Sequence, residues 1–310
     1  MMYQSGDNYF HIGNDHDTNQ DWSTQGTFAN DMDVGYAIVC DGCSGSNDIC
    51  GQLDIGARLL GLSAKMALEE VLGKGKWREP VTKEIVAQIG ESTVVGASAW
   101  TKLMQLSRHS IYATLVTAIS DGQRSNIMFY GDGWAFWKKK ESNSIFLRQC
   151  EYTSNASFYL PYNLNPIDAI SYNEGFGKAS DKIMITDYEI KDKNAVYAGD
   201  FSSITKKTTI FPIVDLGYEF YHNCTVSLID CELEYIGVAS DGVGTFKKAH
   251  AEYSELLVDT ELNIILVSLF GFKNLHTDFV NRRFKAFKRE MKKTGMIHYD
   301  DLSVSALSFQ

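Results

Sequence analysis

The dipeptide Asp-Gly recurs in this chain at the ends of short apolar segments, and no other feature constrains the fold as strongly. Three apolar runs each lead within two residues into such a pair, at Asp41-Gly42, Asp132-Gly133 and Asp241-Gly242. Short apolar runs bounded by turn residues are typical of buried strands. One such pair indicates only a turn, whereas three predict that a sheet brings carboxylates to one place.

Further acids lie where the same pattern would put a strand end. Asp300 and Asp301 precede the final apolar strand, and Asp21 lies near the N-terminus. Clustered carboxylates repel one another, and burying them unpaired costs several kcal/mol each. Oxygen ligands without His or Cys suit Mg²⁺ or Mn²⁺, and a pair of such ions favours hydrolysis of a phosphoester by a bridging water. A calcium loop of the D-x-D-x-D-G type is absent from the sequence, and three unrelated turns remain the alternative.

Composition excludes some classes of function. The 310 residues carry a formal net charge of −10 and are 44% apolar. This balance argues against a broad nucleic-acid-binding face, which needs clustered cations. The longest apolar stretch, 264–272, is too short to span a bilayer, and the first residues lack a signal-peptide pattern. Six scattered cysteines are expected to be free thiols, so we expect a cytoplasmic protein.

The spacing of apolar residues predicts long helices over 51–72, 81–106 and 277–293. Between the second and third helices the pattern changes to short strands separated by turn residues, and a last strand covers 302–309. The predicted strands cover 111–118, 126–130, 134–138, 144–148, 182–186, 208–214, 225–229 and 235–239. Helices followed by hairpin-connected strands indicate an α+β fold with antiparallel sheets. Because no linker interrupts the chain, we expect one domain over 1–310.

The order of the motifs resembles that of the metal-dependent PP2C-type (PPM) Ser/Thr protein phosphatases, in the form found in bacteria. The resemblance extends over nearly the whole chain and rests on NQD at 19–21, VCDGCSGS at 39–46, GQLDIGARLL at 51–60, YATLVTAI at 112–119, YGDG at 130–133, ASDGV at 239–243 and DDLSV at 300–304. It implies an α-β-β-α sandwich, with two antiparallel sheets flanked by helices and two metal ions at one end.

The resemblance also implies a role for each matching residue. Asp41 would bridge both metal ions and the Gly42 carbonyl would bind one of them, while Asp241 and Asp300 would bind the other. Asp21 would hold metal-bound waters, and Asp132 would help to hold a third, weaker ion. The metal residues are therefore expected to be Asp21, Asp41, Gly42, Asp132, Asp241 and Asp300, with Asp21, Asp41 and Asp241 as the catalytic ones.

The chain departs from the family pattern at three positions. Gln20 replaces a common Glu, and His16 stands roughly where many members have a phosphate-binding Arg. Cys43 stands where eukaryotic members have a His that is thought to protonate the leaving group. The basic helix 277–293 is either a solvated surface or a docking site for an acidic partner or a phosphopeptide.

These features together predict hydrolysis of phosphoserine or phosphothreonine in proteins by a water activated at a dinuclear Mg²⁺ or Mn²⁺ centre, with a third weaker ion. The expected partners are a phosphoprotein substrate and a kinase, without nucleic acid or membrane, and we expect a monomer. Two alternatives remain open: a non-catalytic binding or scaffold module, and a phosphohydrolase for a small molecule.

Overall fold

The computed structural model describes residues 3–14, 16–29, 31–42, 55–73, 76–154, 156–175, 182–212, 218–248 and 259–310. One sheet has seven strands, and every neighbouring pair in it is antiparallel. Their order across the sheet is β1 (Tyr3–His11), β14 (Leu302–Phe309), β11 (Leu233–Ala239), β6 (Gly133–Lys139), β7 (Ile145–Tyr152), β8 (Lys182–Ile190) and β9 (Ile204–Pro212).

A second antiparallel sheet has five strands and packs face to face on the first, with contacts between strands of the two sheets. Its order is β10 (Val226–Leu228), β5 (Ser125–Tyr130), β4 (Leu115–Ser120), β3 (Asp31–Cys40) and β2 (Trp22–Phe28). A small third sheet pairs β12 (Phe246–Lys248) with β13 (Met296–His298).

Helices cover the outer faces of both sheets. They are α1 (Ile55–Leu72), α2 (Lys83–Leu103), α3 (Pro166–Gly175), α4 (Lys193–Tyr197), α5 (Tyr218–Cys224), α6 (Asp259–Phe270) and α7 (Phe279–Thr294). The helices α1 and α2 pack on the five-stranded sheet, and α6 and α7 cover the seven-stranded sheet. The prediction of two antiparallel sheets flanked by helices is therefore confirmed.

The sequence explains how α7 docks. Its apolar residues recur every three or four positions, so that Val280, Phe284, Phe287 and Met291 share one buried stripe and the basic residues face outwards. Burying a side chain of this size contributes roughly 1.5–3 kcal/mol. The helix ends at Gly295, whose φ of +69° is the left-handed conformation that glycine adopts readily.

One predicted strand differs from the structure, and two observed strands were not predicted. The predicted strand 111–118 is interrupted, because a 3₁₀ turn at Arg108–Ile111, capped by the Ser107 hydroxyl, precedes a strand that begins only at Leu115. The edge strands β1 and β2 were not predicted, since their mixed polar and apolar residues lack a clear alternation. Among the described helices, none is both long and apolar enough to cross a membrane.

Candidate metal centre

The registers of the five-stranded sheet bring Asp21 and Asp41 to the same edge. Trp22 lies opposite Cys40, so the start of β2 and the end of β3 are neighbours. Asp21 directly precedes β2, and Asp41 directly follows β3. Two acids that are 20 positions apart in sequence therefore meet because the strands beside them are antiparallel.

The seven-stranded sheet delivers three more acids to that edge. Ala239, the last residue of β11, lies opposite Trp134 of β6 on one side and Val304 of β14 on the other. Asp132 precedes β6, Asp241 follows β11, and Asp300 precedes β14. The short turn between β5 and β6 passes from one sheet to the other at this point, which places the acids of both sheets together.

These residues surround a cavity of about 210 Å³. Of the six predicted metal residues, five line it, and they are Asp41, Gly42, Asp132, Asp241 and Asp300. The sixth, Asp21, is buried, with 6% of its surface exposed, and interacts electrostatically with Asp41 and Asp241. The structure therefore brings together all of the acids that the sequence singled out for metal binding.

The glycines after Asp41 and Asp241 are required by close packing rather than by a turn. A Cβ on Gly42 would lie 2.4 Å from the Gln20 carbonyl oxygen. A Cβ on Gly242 would lie 1.9 Å from the Asp301 carbonyl oxygen. Real Cβ atoms do not approach an oxygen so closely, so both positions exclude any other residue unless the backbone shifts. The pairs Asp41-Gly42 and Asp241-Gly242 thus fix an acid where two chain segments touch.

A fourth Asp-Gly pair, Asp121-Gly122, shows what an ordinary turn looks like in the same chain. It connects β4 to β5 at the opposite edge of the five-stranded sheet. The Asp121 carboxylate accepts hydrogen bonds from the backbone N–H groups of Gln123 at 2.9 Å and Arg124 at 2.8 Å. Its charge is therefore satisfied locally, as in an Asx turn.

The acids at the cavity are less well satisfied, and their pKa values are raised. Asp300 accepts a hydrogen bond from the backbone N–H of Asp301 at 2.8 Å, but burial still raises its pKa. Burial raises the pKa of Asp21 to about 8, opposed by the nearby Ser240 side chain and reinforced by the negative charge of Asp301. Burial, followed by the charges of Asp21 and Asp241, raises the pKa of Asp41 well above its ordinary value. Desolvation and like charges both disfavour ionisation.

The remaining cavity acids behave in the same way. Burial and then the charge of Asp241 raise the pKa of Asp132 to about 7, although the Ser157 side chain lowers it through a hydrogen bond. Burial is also the largest cause of the raised pKa values of Asp241 and Asp300. A cluster in which every acid resists ionisation is one that a cation would stabilise.

Unpartnered oxygens in the cluster show where cations could be held. Both carboxyl oxygens of Asp21 and Oδ1 of Asp241 are buried without a well-formed hydrogen bond. Asp41 and Asp241 lie close enough to influence each other's ionisation. Among the described residues, no three His, Cys, Asp or Glu side chains are already disposed around one point as a ligand set. The all-oxygen chemistry fits a hard divalent cation, which would offset the like charges of these acids.

Asp301 and His16 lie close together, and His16 also lines the cavity. Asp301 is 1% exposed and accepts hydrogen bonds from the backbone N–H groups of Gly13 at 2.8 Å and Gln20 at 2.5 Å. His16 Nδ1 lies 3.1 Å from Asp301 Oδ2, and Nε2 lies 3.7 Å from Asp300 Oδ1. Asp301 therefore fastens the N-terminal segment to the site, and His16 faces carboxylates.

Two residues that line the cavity could not be predicted from any motif. Ser157 and Tyr159 come from the connection between β7 and β8 and belong to no motif. Thr114 also lines the cavity, and the motif at 112–119 could have indicated it. Cys43, which stands where eukaryotic members of the family have a His, lies outside the described residues.

No family model and no curated protein matches the chain. Solved structures do match over nearly the full length of both chains. A bacterial serine phosphatase has a TM-score of 0.48 at 11% identity, covering 99% of this chain and 98% of that one. A serine/threonine phosphatase from Staphylococcus aureus has a TM-score of 0.45 at 11% identity, and serine-threonine phosphatase 2C from Toxoplasma gondii has a TM-score of 0.45 at 12% identity. Each of these two matches covers 100% of this chain and 98% of the other chain. The Toxoplasma gondii protein is a phosphatase 2C, the type that the motifs resemble.

Proposed function

We propose that this chain is a Mg²⁺- or Mn²⁺-dependent phosphatase that removes phosphate from phosphoserine or phosphothreonine in proteins. The observation that carries the proposal is the convergence of Asp41, Asp132, Asp241 and Asp300 on one cavity, from four separate strand ends in two sheets. Nothing in the fold requires such costly burial of like charges, and a functional site is the usual reason for it.

Each residue has a role in this proposal. Asp41, the Gly42 carbonyl, Asp241 and Asp300 would hold two cations, and Asp132 would help to hold a third, weaker one. Cations bound there supply a nucleophilic water at neutral pH and neutralise charge on the phosphoryl group. Asp21 lies behind these ligands, where its carboxylate would accept hydrogen bonds from a cation-bound water.

Substrate phosphate has few other partners in the cavity. Among the described residues that line it there is no Arg or Lys. The hydroxyl groups of Ser157 and Tyr159 are the neutral donors on the side of the β7–β8 connection. His16 is held against Asp300 and Asp301, so it does not take the place of the missing Arg. Recognition of the phosphate in this site therefore depends on the cations that the carboxylates bind.

A non-catalytic binding module is the second candidate. It is favoured by the lack of a preformed three-residue ligand set in the described part of the chain. Such a module would bind phosphoprotein without hydrolysing it.

The four described cysteines are free thiols, which agrees with the cytoplasmic location that we propose.

Removal and return of the metal tests the proposal. Protein stripped with chelator should not hydrolyse an aryl phosphate or a phosphoserine peptide, and added Mn²⁺ should restore both activities. The Asp41→Asn variant should remain folded but lose Mn²⁺ binding by calorimetry and turnover, whereas Asp121→Asn changes a true turn residue and should leave both intact. Full activity in excess chelator, or wild-type turnover by Asp41→Asn, would contradict the metal mechanism. Mn²⁺ binding without any turnover would favour the second candidate.

A further inference from the structure

A second cavity lies beside the first, between the C-terminal end of α2 and the segment that precedes α3. Its volume is about 340 Å³, which is sufficient for a large side chain. Its apolar lining residues are Leu106, Ile111, Pro161 and Leu164, and the rest of the lining is polar and includes Lys102 and Arg108. Ser98 of α2 lines one wall.

The walls of the two cavities are formed by neighbouring residues, and no described residue lines both. Thr114 lines the metal cavity and Tyr112 lines the second one, and Tyr112 has extended backbone geometry. On the opposite wall, Tyr159 lines the metal cavity and Pro161 lines the second one. The rings of Tyr112 and Tyr159 stack with centroids 6.1 Å apart. Because residues two apart in extended chain are separated by about 7 Å and face the same side, the cavities open next to each other.

A hydrogen-bonded clamp holds the second cavity in shape. The Asp168 carboxylate accepts hydrogen bonds from the Tyr112 hydroxyl, the Asn165 side-chain amide and Arg108, the last at 3.0 Å. This clamp joins the first turn of α3 to the 3₁₀ turn before β4. It also pairs the charge of Asp168 with that of Arg108, so that a ligand in the cavity meets apolar side chains beside a neutralised carboxylate. Such a preformed pocket costs little ordering on binding.

We propose that this cavity is a subsite for the phosphoprotein substrate and takes an apolar side chain two or three residues from the phosphorylated one. The inference rests on the proposed function, because it assumes that the phosphate occupies the metal cavity. An extended peptide advances about 3.3 Å per residue and points alternate side chains the same way, which matches the separation of the cavities. Selectivity for a flanking leucine over glycine follows.

A positional scan tests the subsite. Phosphoserine peptides of glycine and serine, each with one leucine at a position from −4 to +4, are compared for kcat/KM with Mn²⁺ present. One position should raise kcat/KM at least about tenfold over the leucine-free peptide, which corresponds to about 1.4 kcal/mol. Ser98→Phe fills the cavity and should reduce that ratio to about 1. Ala99→Phe is the matched control, because Ala99 is exposed on the next position of α2 and does not line the cavity.

The outcomes separate the subsite from the catalysis. Leu164→Ser, a change at a residue that is 44% exposed and so poses little risk to folding, should lower the same ratio and guards against misfolding of Ser98→Phe. Equal rates for all peptides, or an unchanged preference in Ser98→Phe, overturn the subsite. If nothing is hydrolysed, fluorescence anisotropy of the labelled peptides measures the preference by binding alone. A leucine preference in binding without turnover supports the subsite and overturns only the proposed catalysis.

Discussion

Replacing Asp21 by asparagine should stabilise the metal-free protein at pH 8. Asp21 is buried next to Asp41 and Asp241, and its pKa is raised from 3.8 to about 8. An acid with a raised pKa in the folded state binds its proton more tightly there than in the unfolded chain. Its contribution to the free energy of unfolding therefore falls as pH rises from about 4 to about 8, by roughly 1.4 kcal/mol per pH unit.

At pH 8 this penalty reaches on the order of 5 kcal/mol. Asparagine removes it but leaves a buried amide with few partners, which costs about 1–3 kcal/mol. The expected net gain is therefore roughly 2 kcal/mol or more at pH 8, falling to about zero near pH 5. His298 acts in the opposite sense, since burial lowers its pKa to about 3. It still contributes to the slope up to about pH 7.5, but it does so equally in wild type and Asp21→Asn and therefore cancels from their difference.

Urea unfolding in excess chelator, at several values between pH 6.5 and 8, measures the effect. Asp7→Asn is the matched control, because Asp7 is also 6% exposed but accepts hydrogen bonds from the backbone N–H groups of Asn8 and Asn281 and from the Asn281 side chain. That variant should lose stability throughout the range. Mn²⁺ should stabilise the wild type more than Asp21→Asn. If metal-free Asp21→Asn is no more stable than the wild type at pH 8, ionisation of the buried Asp21 does not lower the free energy of unfolding by the expected amount.

Two further predictions concern single positions. Asp132→Ala should keep two tight Mn²⁺ sites by calorimetry but lose at least about tenfold in turnover. The reason is that a loosely held ion acts mainly in the transition state. Normal kinetics across a Mn²⁺ titration would show that Asp132 is not needed. Gly242→Ala should lose stability and Mn²⁺ binding because its Cβ would lie 1.9 Å from the Asp301 carbonyl oxygen, whereas a Cβ on Gly244 meets nothing within 4 Å. Gly244→Ala is therefore the control in urea unfolding and calorimetry, and equal behaviour of the two variants would contradict the packing argument.

The fold class and the acids at the strand ends could be predicted because both depend on local patterns. Apolar runs that end in Asp-Gly mark where a strand stops, and a strand's end belongs to one edge of its sheet. The wall formed by Ser157 and Tyr159 could not be predicted in this way. Its position depends on how the β7–β8 connection folds back over the edge, and that is decided by packing between distant segments such as the pair Tyr112 and Tyr159.

The four Asp-Gly pairs show the limit of the pattern most clearly. Asp121-Gly122 has the same two letters as Asp41-Gly42, and each follows an apolar strand. What separates them is the direction of the strand, because β3 and β4 are antiparallel and end at opposite edges. The Asp121 carboxylate meets backbone N–H groups of its own turn. The Asp41 carboxylate lies at the opposite end of the sheet, where it meets the carboxylates of Asp21 and Asp241. The backbone of Gln20 leaves room there only for a glycine at position 42. The chemistry of each pair is therefore set by topology, which periodicity and turn propensity do not encode.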